Sequence, residues 1–193
     1  MKIYLIRHGE SEANSKRIHA GWQQVHLTHL GREQARAVGE YLKNIRFDKV
    51  YASDLVRAME TCEEALPGAE YQTDERLREV NVGIVVGKGR DECTAEYGDL
   101  YVNARKYRDY TAFGGECEND LISRSKSFFA DLAGKKYDTV ALFTHEGIIR
   151  ATLEYTIGTE IKQGTVAFPN CIISVFDLND DGTLCLRSWN VNG

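Results

Sequence analysis

The chain has 193 residues, 42% of them hydrophobic and 27% charged, with 24 basic against 29 acidic side chains and a net charge of −5. That length suits one domain with a sizeable core. The acidic balance argues against nucleic acid or an anionic membrane surface as the main partner, so an anionic small molecule would have to be drawn by a local basic cluster.

The first predicted element is the strand "KIYLI" (2–6), a continuous apolar run of the kind buried on both faces of a parallel sheet. It is too brief for a signal peptide, and no stretch approaches the roughly 20 apolar residues of a membrane span. Arg7, His8, Gly9, Glu10 and Ser11 follow it directly. "LTHLGREQARAVGEYLKN" (27–44) predicts a helix, with Ala35, Val38, Tyr41 and Leu42 at helical spacing. "DKVYAS" (48–53) is a second strand and "SDLVRAMETCEEAL" (53–66) a helix, expected to be capped by Ser53 or Asp54 and stopped by Pro67-Gly68.

Residues 83–120 break the alternation. Six glycines and the tyrosines Tyr97, Tyr101, Tyr107 and Tyr110 are interleaved there with Arg90, Arg105, Lys106 and Arg108. Short helices and loops forming a small inserted lid are expected; a solvated surface excursion is the plainer reading. "DTVALFTH" (138–145) is a third buried strand, leading into the helix "EGIIRATLEYTI" (146–157). "NCIISVFDL" (170–178) and "TLCLRSWNV" (183–191) close the chain as a hairpin through "NDDG".

The order of elements predicts an α/β fold: a three-layer sandwich with a mostly parallel central sheet and helices on both faces, forming a single domain over 1–193. In such sheets ligands bind beyond the carboxyl ends of the strands. The five cysteines, Cys62, Cys93, Cys117, Cys171 and Cys185, are odd in number and lack C-x-x-C spacing. Idle thiols in a reducing, cytoplasmic setting are therefore expected. A homodimer is compatible with the sequence but not demanded by it.

Three places share one sheet edge in this reading. Arg7 and His8 follow the first strand, Arg57 lies in the first helical turn after the second, and His145 ends the third. Two arginine forks and two imidazoles gathered there can hold a tetrahedral dianion. A neutral histidine can act as nucleophile, and the helix after His145 adds N–H groups and the positive end of its dipole. Each residue alone has a plainer reading, as a structural histidine or a solvated arginine.

"LIRHGESEAN" (5–14) resembles the signature of the histidine phosphatase superfamily, the phosphoglycerate mutase-like fold. The resemblance continues through "GWQQVHLTHLGREQA", "VYASDLVRAMET", "LREVNVG", "GGE" at 114–116 and "LFTHEGIIRA", in the family's order. It implies that His8 is phosphorylated on its imidazole and that Arg7, Arg57 and His145 form the surrounding phosphate pocket. It further implies that Asn14 contributes a contact to phosphate or substrate and that Glu79 is the proton donor. Neither metal nor cofactor is implied. The alternative for Glu79 is a surface partner of Arg76 or Arg78.

Two departures stand out. Relatives commonly carry glycine after the second histidine where this chain has Glu146, which is expected to point away from the pocket. The pattern G-x-W-E-G after the proton donor is here "GIVVG", with Val85 and Val86 in place of Trp and Glu. His19, His26 and His29 lack a carboxylate or cysteine that would complete a metal site, and Trp22 is expected to pack beneath the loop.

The expected function is metal-independent hydrolysis of a small phosphomonoester through phosphohistidine. A phosphoglycerate-type mutase is the first rival, disfavoured because "EVNVG" stands where mutases have E-R-H-Y-G. A protein phosphatase and a non-catalytic binding protein are the others.

Overall fold

The computed structural model describes residues 1–162 and 164–191. Strand β1 (Lys2–Arg7) is buried from Ile3 to Ile6 because each of those residues is apolar. Successive strand side chains point to opposite faces. Ile3 and Leu5 therefore enter one core, while Tyr4 and Ile6 enter the other. β4 (Thr139–Thr144) repeats the pattern, with Val140 and Leu142 on the first face and Ala141 and Phe143 on the second.

With β2 (Lys49–Ala52), β3 (Gln72–Thr73), β5 (Ile173–Leu178) and β6 (Leu184–Ser188), these strands form one six-stranded sheet in the order β3-β2-β4-β1-β5-β6. β3, β2, β4 and β1 run parallel, and β5 is antiparallel to both β1 and β6. The hairpin expected at the chain's end is thus present, although its first strand begins at Ile173 rather than Asn170.

α2 (His29–Leu42) and α3 (Val56–Ala65) cover the second face through Ala35, Val38, Leu42, Cys62 and Ala65. α6 (Glu118–Ala133) and α7 (Glu146–Ile157) cover the first through Phe128, Phe129, Leu132, Ile149 and Leu153. Each such Leu or Phe contributes roughly 1.5–3 kcal/mol on burial. Helices on both faces of a mostly parallel sheet make the three layers.

The expected cap of α3 is not what forms. Leu55 occupies the N-cap position without a side-chain bond; Ser53 Oγ accepts from the Leu55 N–H at 3.3 Å instead, and the Asp54 carboxylate is taken by Arg78. α6 was not foreseen as an element. Its apolar stripe is interrupted by Ser125, which is fully buried because its hydroxyl meets that of Thr152 at 3.3 Å.

Between β3 and α6 the chain forms two short 3-10 turns, α4 (Arg90–Tyr97), α5 (Asp99–Tyr107) and a third turn at Thr111–Phe113. Val82, Val85, Cys93, Tyr101, Ala104, Tyr110 and Phe113 give this segment an apolar cluster of its own. It is therefore packed rather than a solvated excursion. A four-residue helix, α1 (Glu12–Ser15), follows β1. Among the described residues, no helix is long and apolar enough to cross a membrane.

Candidate active site

The parallel strands β1, β2 and β4 end together, and the residues after them line one cavity of about 300 Å³. His8 follows β1 and is only 3% exposed. Its Nδ1 lies 2.7 Å from the Gly9 carbonyl. A carbonyl only accepts, so Nδ1 carries the proton and Nε2 is left with its lone pair. Burial holds the His8 imidazole well below its ordinary range, with the charges of Arg57 and Arg7 adding to the fall. A neutral, oriented imidazole results.

His145 is the N-cap residue of α7 and is fully buried. Its ring centroid stands 5.1 Å from that of His8. Burial, then Arg57 and His8, likewise keep it well below the ordinary histidine range. Neither of its ring nitrogens has a hydrogen-bond partner.

Arg57, 1% exposed, is aimed by the loop before α2: Nη1 donates to the Gln23 carbonyl at 3.1 Å and Nη2 to that of Gly21 at 2.9 Å. Burial brings it down to about 10, with Glu79 pulling upward and Arg7 adding to the fall, so it stays charged at neutral pH. Arg7 donates through Nη1 to the Phe168 carbonyl, and its Nη2 lies 3.4 Å from Glu146 Oε2. The Nε of each arginine is buried without a partner. Four buried nitrogens, two on arginines and both of His145, are thus unmet around His8. An unmet buried donor costs about 1–3 kcal/mol, which makes such a cluster unusual away from a binding site.

Glu79 lines the same cavity. Its Oε1 accepts the N–H groups of Val80 at 2.9 Å and Gly147 at 3.0 Å, so Oε2 is the atom able to carry or take a proton. It is not the partner of Arg76 or Arg78, which pair with Asp74, Asp131 and Asp54. Its backbone is bracketed from both sides. Trp22 Nε1 donates to the Glu79 carbonyl at 2.7 Å beneath the Arg78 guanidinium, and Arg124 donates to the carbonyls of Arg76, Arg78 and Glu79. Glu116 of "GGE" fixes Arg124 at 2.9 Å and accepts the Asn81 N–H at 2.8 Å.

Asn14 also lines the cavity, and Ser11 and Asn14 make a capping box on α1. Asn170 Nδ2 reaches both the His8 carbonyl, at 3.1 Å, and Asn14 Oδ1, at 3.3 Å. Sequence reasoning missed Arg124, Asn170, Phe168 and Arg150. Only the long-range fold brings them here, and no local pattern marks them.

Glu146 does not point away, contrary to the expectation from sequence. Its carboxylate lines the cavity and bridges Arg7 and Arg150, whose guanidinium lies 4.5 Å from the Phe168 ring centre. The next residue explains which glycine the geometry requires: a Cβ on Gly147 would stand 2.2 Å from Glu79 Oε1. Val80 and Val82, rather than Val85 and Val86, face the cavity.

The other histidines are occupied separately. His19 Nε2 lies 2.6 Å from Tyr101 Oη, His26 meets Glu60 at 2.8 Å, and His29 is on the exposed side of α2 near Glu33. Among the described residues, no group of three or more His, Cys, Asp or Glu side chains is placed to hold a metal ion.

The chain is similar to known proteins along nearly its whole length. The sequence profile of the histidine phosphatase superfamily (branch 1) matches residues 3–192. The chain is 32% identical to the 2,3-bisphosphoglycerate-dependent phosphoglycerate mutase of Brucella canis, over 96% of both chains. The structure of Bacillus stearothermophilus YhfR superposes with a TM-score of 0.89 at 26% identity, covering 96% of this chain and 95% of that one. The alpha-ribazole phosphatase of Shigella flexneri gives 0.84 at 25% identity, covering 100% and 98%.

Proposed function

Because the chain belongs to branch 1 of the histidine phosphatase superfamily, we propose that it is a phosphomonoester hydrolase acting on a small phosphorylated metabolite through a phosphohistidine at His8. The observation that carries this reading is the set of unmet buried nitrogens on Arg7, Arg57 and His145 around the bare Nε2 of His8. Oxygens of a phosphoryl group would accept from the two arginine Nε–H groups and from the one N–H that a neutral His145 carries.

The steps follow from the geometry. The non-bridging oxygens rest against Arg7, Arg57 and His145, with Asn14 at the edge, and the N-terminus of α7 adds its field. His8 Nε2 attacks phosphorus in line as the bond to the ester oxygen breaks. Glu79 Oε2 gives its proton to the departing alkoxide, and the resulting carboxylate takes a proton from the water that then attacks phosphorus. The P–N bond breaks, inorganic phosphate leaves, and His8 is again neutral. The arginines neutralise the equatorial charge and the His145 N–H donates to it, so the sequence of steps calls on no metal.

Segment 83–120 serves as the lid, and the cavity beneath it, at the small end of ligand pockets, favours a metabolite over a phosphorylated protein. The odd number of cysteines, without C-x-x-C spacing, supports a cytoplasmic setting. A mutase reading is favoured by the Brucella relative. Against it, Val80 and Val82 form the cavity wall beside Glu79, where mutases carry the polar E-R-H-Y-G segment.

Release of inorganic phosphate from a panel of small phosphomonoesters, including 3-phosphoglycerate, with EDTA present, tests both readings. Phosphate is expected from one or a few members, and His8→Ala is expected to abolish turnover. Isomerisation of 3-phosphoglycerate without phosphate release would establish the mutase. A His8→Ala rate above a tenth of the parent's would overturn the phosphohistidine route.

A further inference from the structure

Two peptide units follow His8, and each is held at both ends. In the unit joining His8 to Gly9, the His8 carbonyl accepts from Asn170 Nδ2 at 3.1 Å and from the Cys171 N–H at 3.3 Å, while the Gly9 N–H donates to Thr61 Oγ1 at 3.0 Å. In the unit joining Gly9 to Glu10, the Gly9 carbonyl accepts from His8 Nδ1 at 2.7 Å and the Glu10 N–H donates to Gln34 Oε1 at 2.8 Å. The carbonyl that decides which ring nitrogen carries the proton therefore hangs from a residue whose other flank is Thr61's to hold.

Thr61 does more than satisfy itself. It is fully buried on α3, one turn after Arg57, and its hydroxyl donates to the Arg57 carbonyl at 2.6 Å. A bond to the fourth residue back is the ordinary recourse of a helical threonine. A carbonyl only accepts, so the single hydroxyl hydrogen is spent there, and Oγ1 meets the Gly9 N–H with a lone pair. Among the described residues no other acceptor meets that N–H.

This placement ties two parts of the reaction together. One oxygen joins the backbone of Arg57, whose guanidinium would grip the phosphoryl group, to the backbone that carries His8. Thr61 itself does not line the cavity, so it touches neither phosphate nor leaving group. Valine would fill nearly the same space and offer no lone pair. The Gly9 N–H, buried and without a partner, would then turn its peptide towards another acceptor and draw the Gly9 carbonyl off the ring.

We infer that Thr61 is a positioning residue for the nucleophile: by accepting the Gly9 N–H it keeps the Gly9 carbonyl on His8 Nδ1, and so holds Nε2 bare and in line with the phosphorus that Arg57 grips. The inference rests on the phosphatase reading of the site and adds to it a residue outside the cavity.

Thr61→Val and Thr61→Ser test this, with thermal melts to show that each folds. On an activated aryl phosphate, Thr61→Val is expected to lower kcat at least about tenfold, the scale of a small misplacement of the attacking atom. Competitive inhibition by inorganic phosphate should stay within about twofold, because every group that touches phosphate remains. Thr61→Ser, which keeps the hydroxyl, should restore most of the rate. Nitrogen NMR of histidine-labelled protein reads the same point without turnover, the His8 signals being those missing from His8→Ala. The parent and Thr61→Ser should show His8 protonated at Nδ1 and bare at Nε2, and Thr61→Val should lose that preference. If Thr61→Val does not fold, Thr61→Ala takes its place. A variant without the hydroxyl that stays within about twofold of the parent rate, that loses phosphate affinity as steeply as rate, or that keeps its His8 proton on Nδ1 would overturn the inference. Failure of the parent protein to release phosphate from any ester would strike the phosphatase reading instead, and the NMR comparison alone would then decide whether Thr61 positions His8.

Discussion

Arg7 holds its guanidinium between the Phe168 carbonyl and the Glu146 carboxylate, the latter 3.4 Å away. Glu146 is shared with Arg150, so the pocket contains a built-in anion beside one of its two arginines. Phosphate arriving at Arg7 meets that negative charge. At an effective dielectric constant near 20, a unit charge several ångströms off is worth on the order of 1–2 kcal/mol, less where solvent reaches it. Glu146→Gln keeps a hydrogen bond to Arg150 and removes the charge. Competitive inhibition by inorganic phosphate is therefore expected to tighten roughly 3–10-fold; weaker inhibition would make Glu146 only a strut that orients Arg7. His8, Arg57 and His145 were legible at this scale because each sits within a few residues of a strand's end. The strut was not legible: Arg7 and Phe168 lie 161 positions apart, and nothing local ties "FPN" to "IRHG".

Helices reach the site through glycines. Gly31 in the first turn of α2 presses on the loop after β1, where a Cβ would stand 2.0 Å from the Glu10 carbonyl oxygen, and a Cβ on Gly9 would stand 2.3 Å from that of Gly31. The contact sets the position of the loop that begins at His8. At the start of α7 the obstacles to a Cβ on Gly147 are side chains, the Glu79 carboxylate at 2.2 Å and the buried Leu121 Cδ2 at 2.9 Å. Gly147→Ala should displace that carboxylate and press on Leu121 as well. It should slow an alkyl phosphate at least about tenfold more than an activated aryl phosphate, since only the former needs the proton. Equal losses on the two esters would remove Glu79 from the role of acid. Continuous apolar runs marked β1 and β4 in the sequence, helical spacing marked α2, and Pro67-Gly68 marked the stop of α3. α6 escaped because Ser125 interrupts its stripe and is satisfied only by Thr152 on another helix. α3 has no local side-chain cap to read, since its first N–H, that of Val56, donates to Gln24 Oε1 at 2.8 Å from 32 positions away.

Across the whole molecule, buried titratable groups oppose one another. His8 and His145 lie well below the ordinary histidine range of 6.5 in the fold. Between about pH 5 and 6.5 the unfolded chain therefore takes up a proton at each while the folded chain does not, and stability rises with pH. His19, lowered by burial and the lid arginines, acts in the same direction. Glu118 does the reverse. Burial and Glu154 push it up to about 7 against the pull of Arg108, so the fold retains a proton that the unfolded chain releases above about 4.5. Its contribution to stability is fully present below that lower value and is lost as pH climbs towards 7. Two histidines against one carboxyl leave a net slope of about one proton, on the order of 1 kcal/mol per pH unit near pH 5.5, with His19 steepening it somewhat. Denaturant midpoints across pH 5–6.5 should show that rise. Glu118→Gln, which keeps an acceptor for Arg108 while ending the titration, should steepen it by about one further proton. A flat or falling profile in the parent would mean that the imidazoles gain their protons inside the fold. The arginines that would hold the phosphoryl group also help keep both histidines neutral. The electrostatic arrangement that costs stability in acid is thus the one that leaves Nε2 of His8 unprotonated.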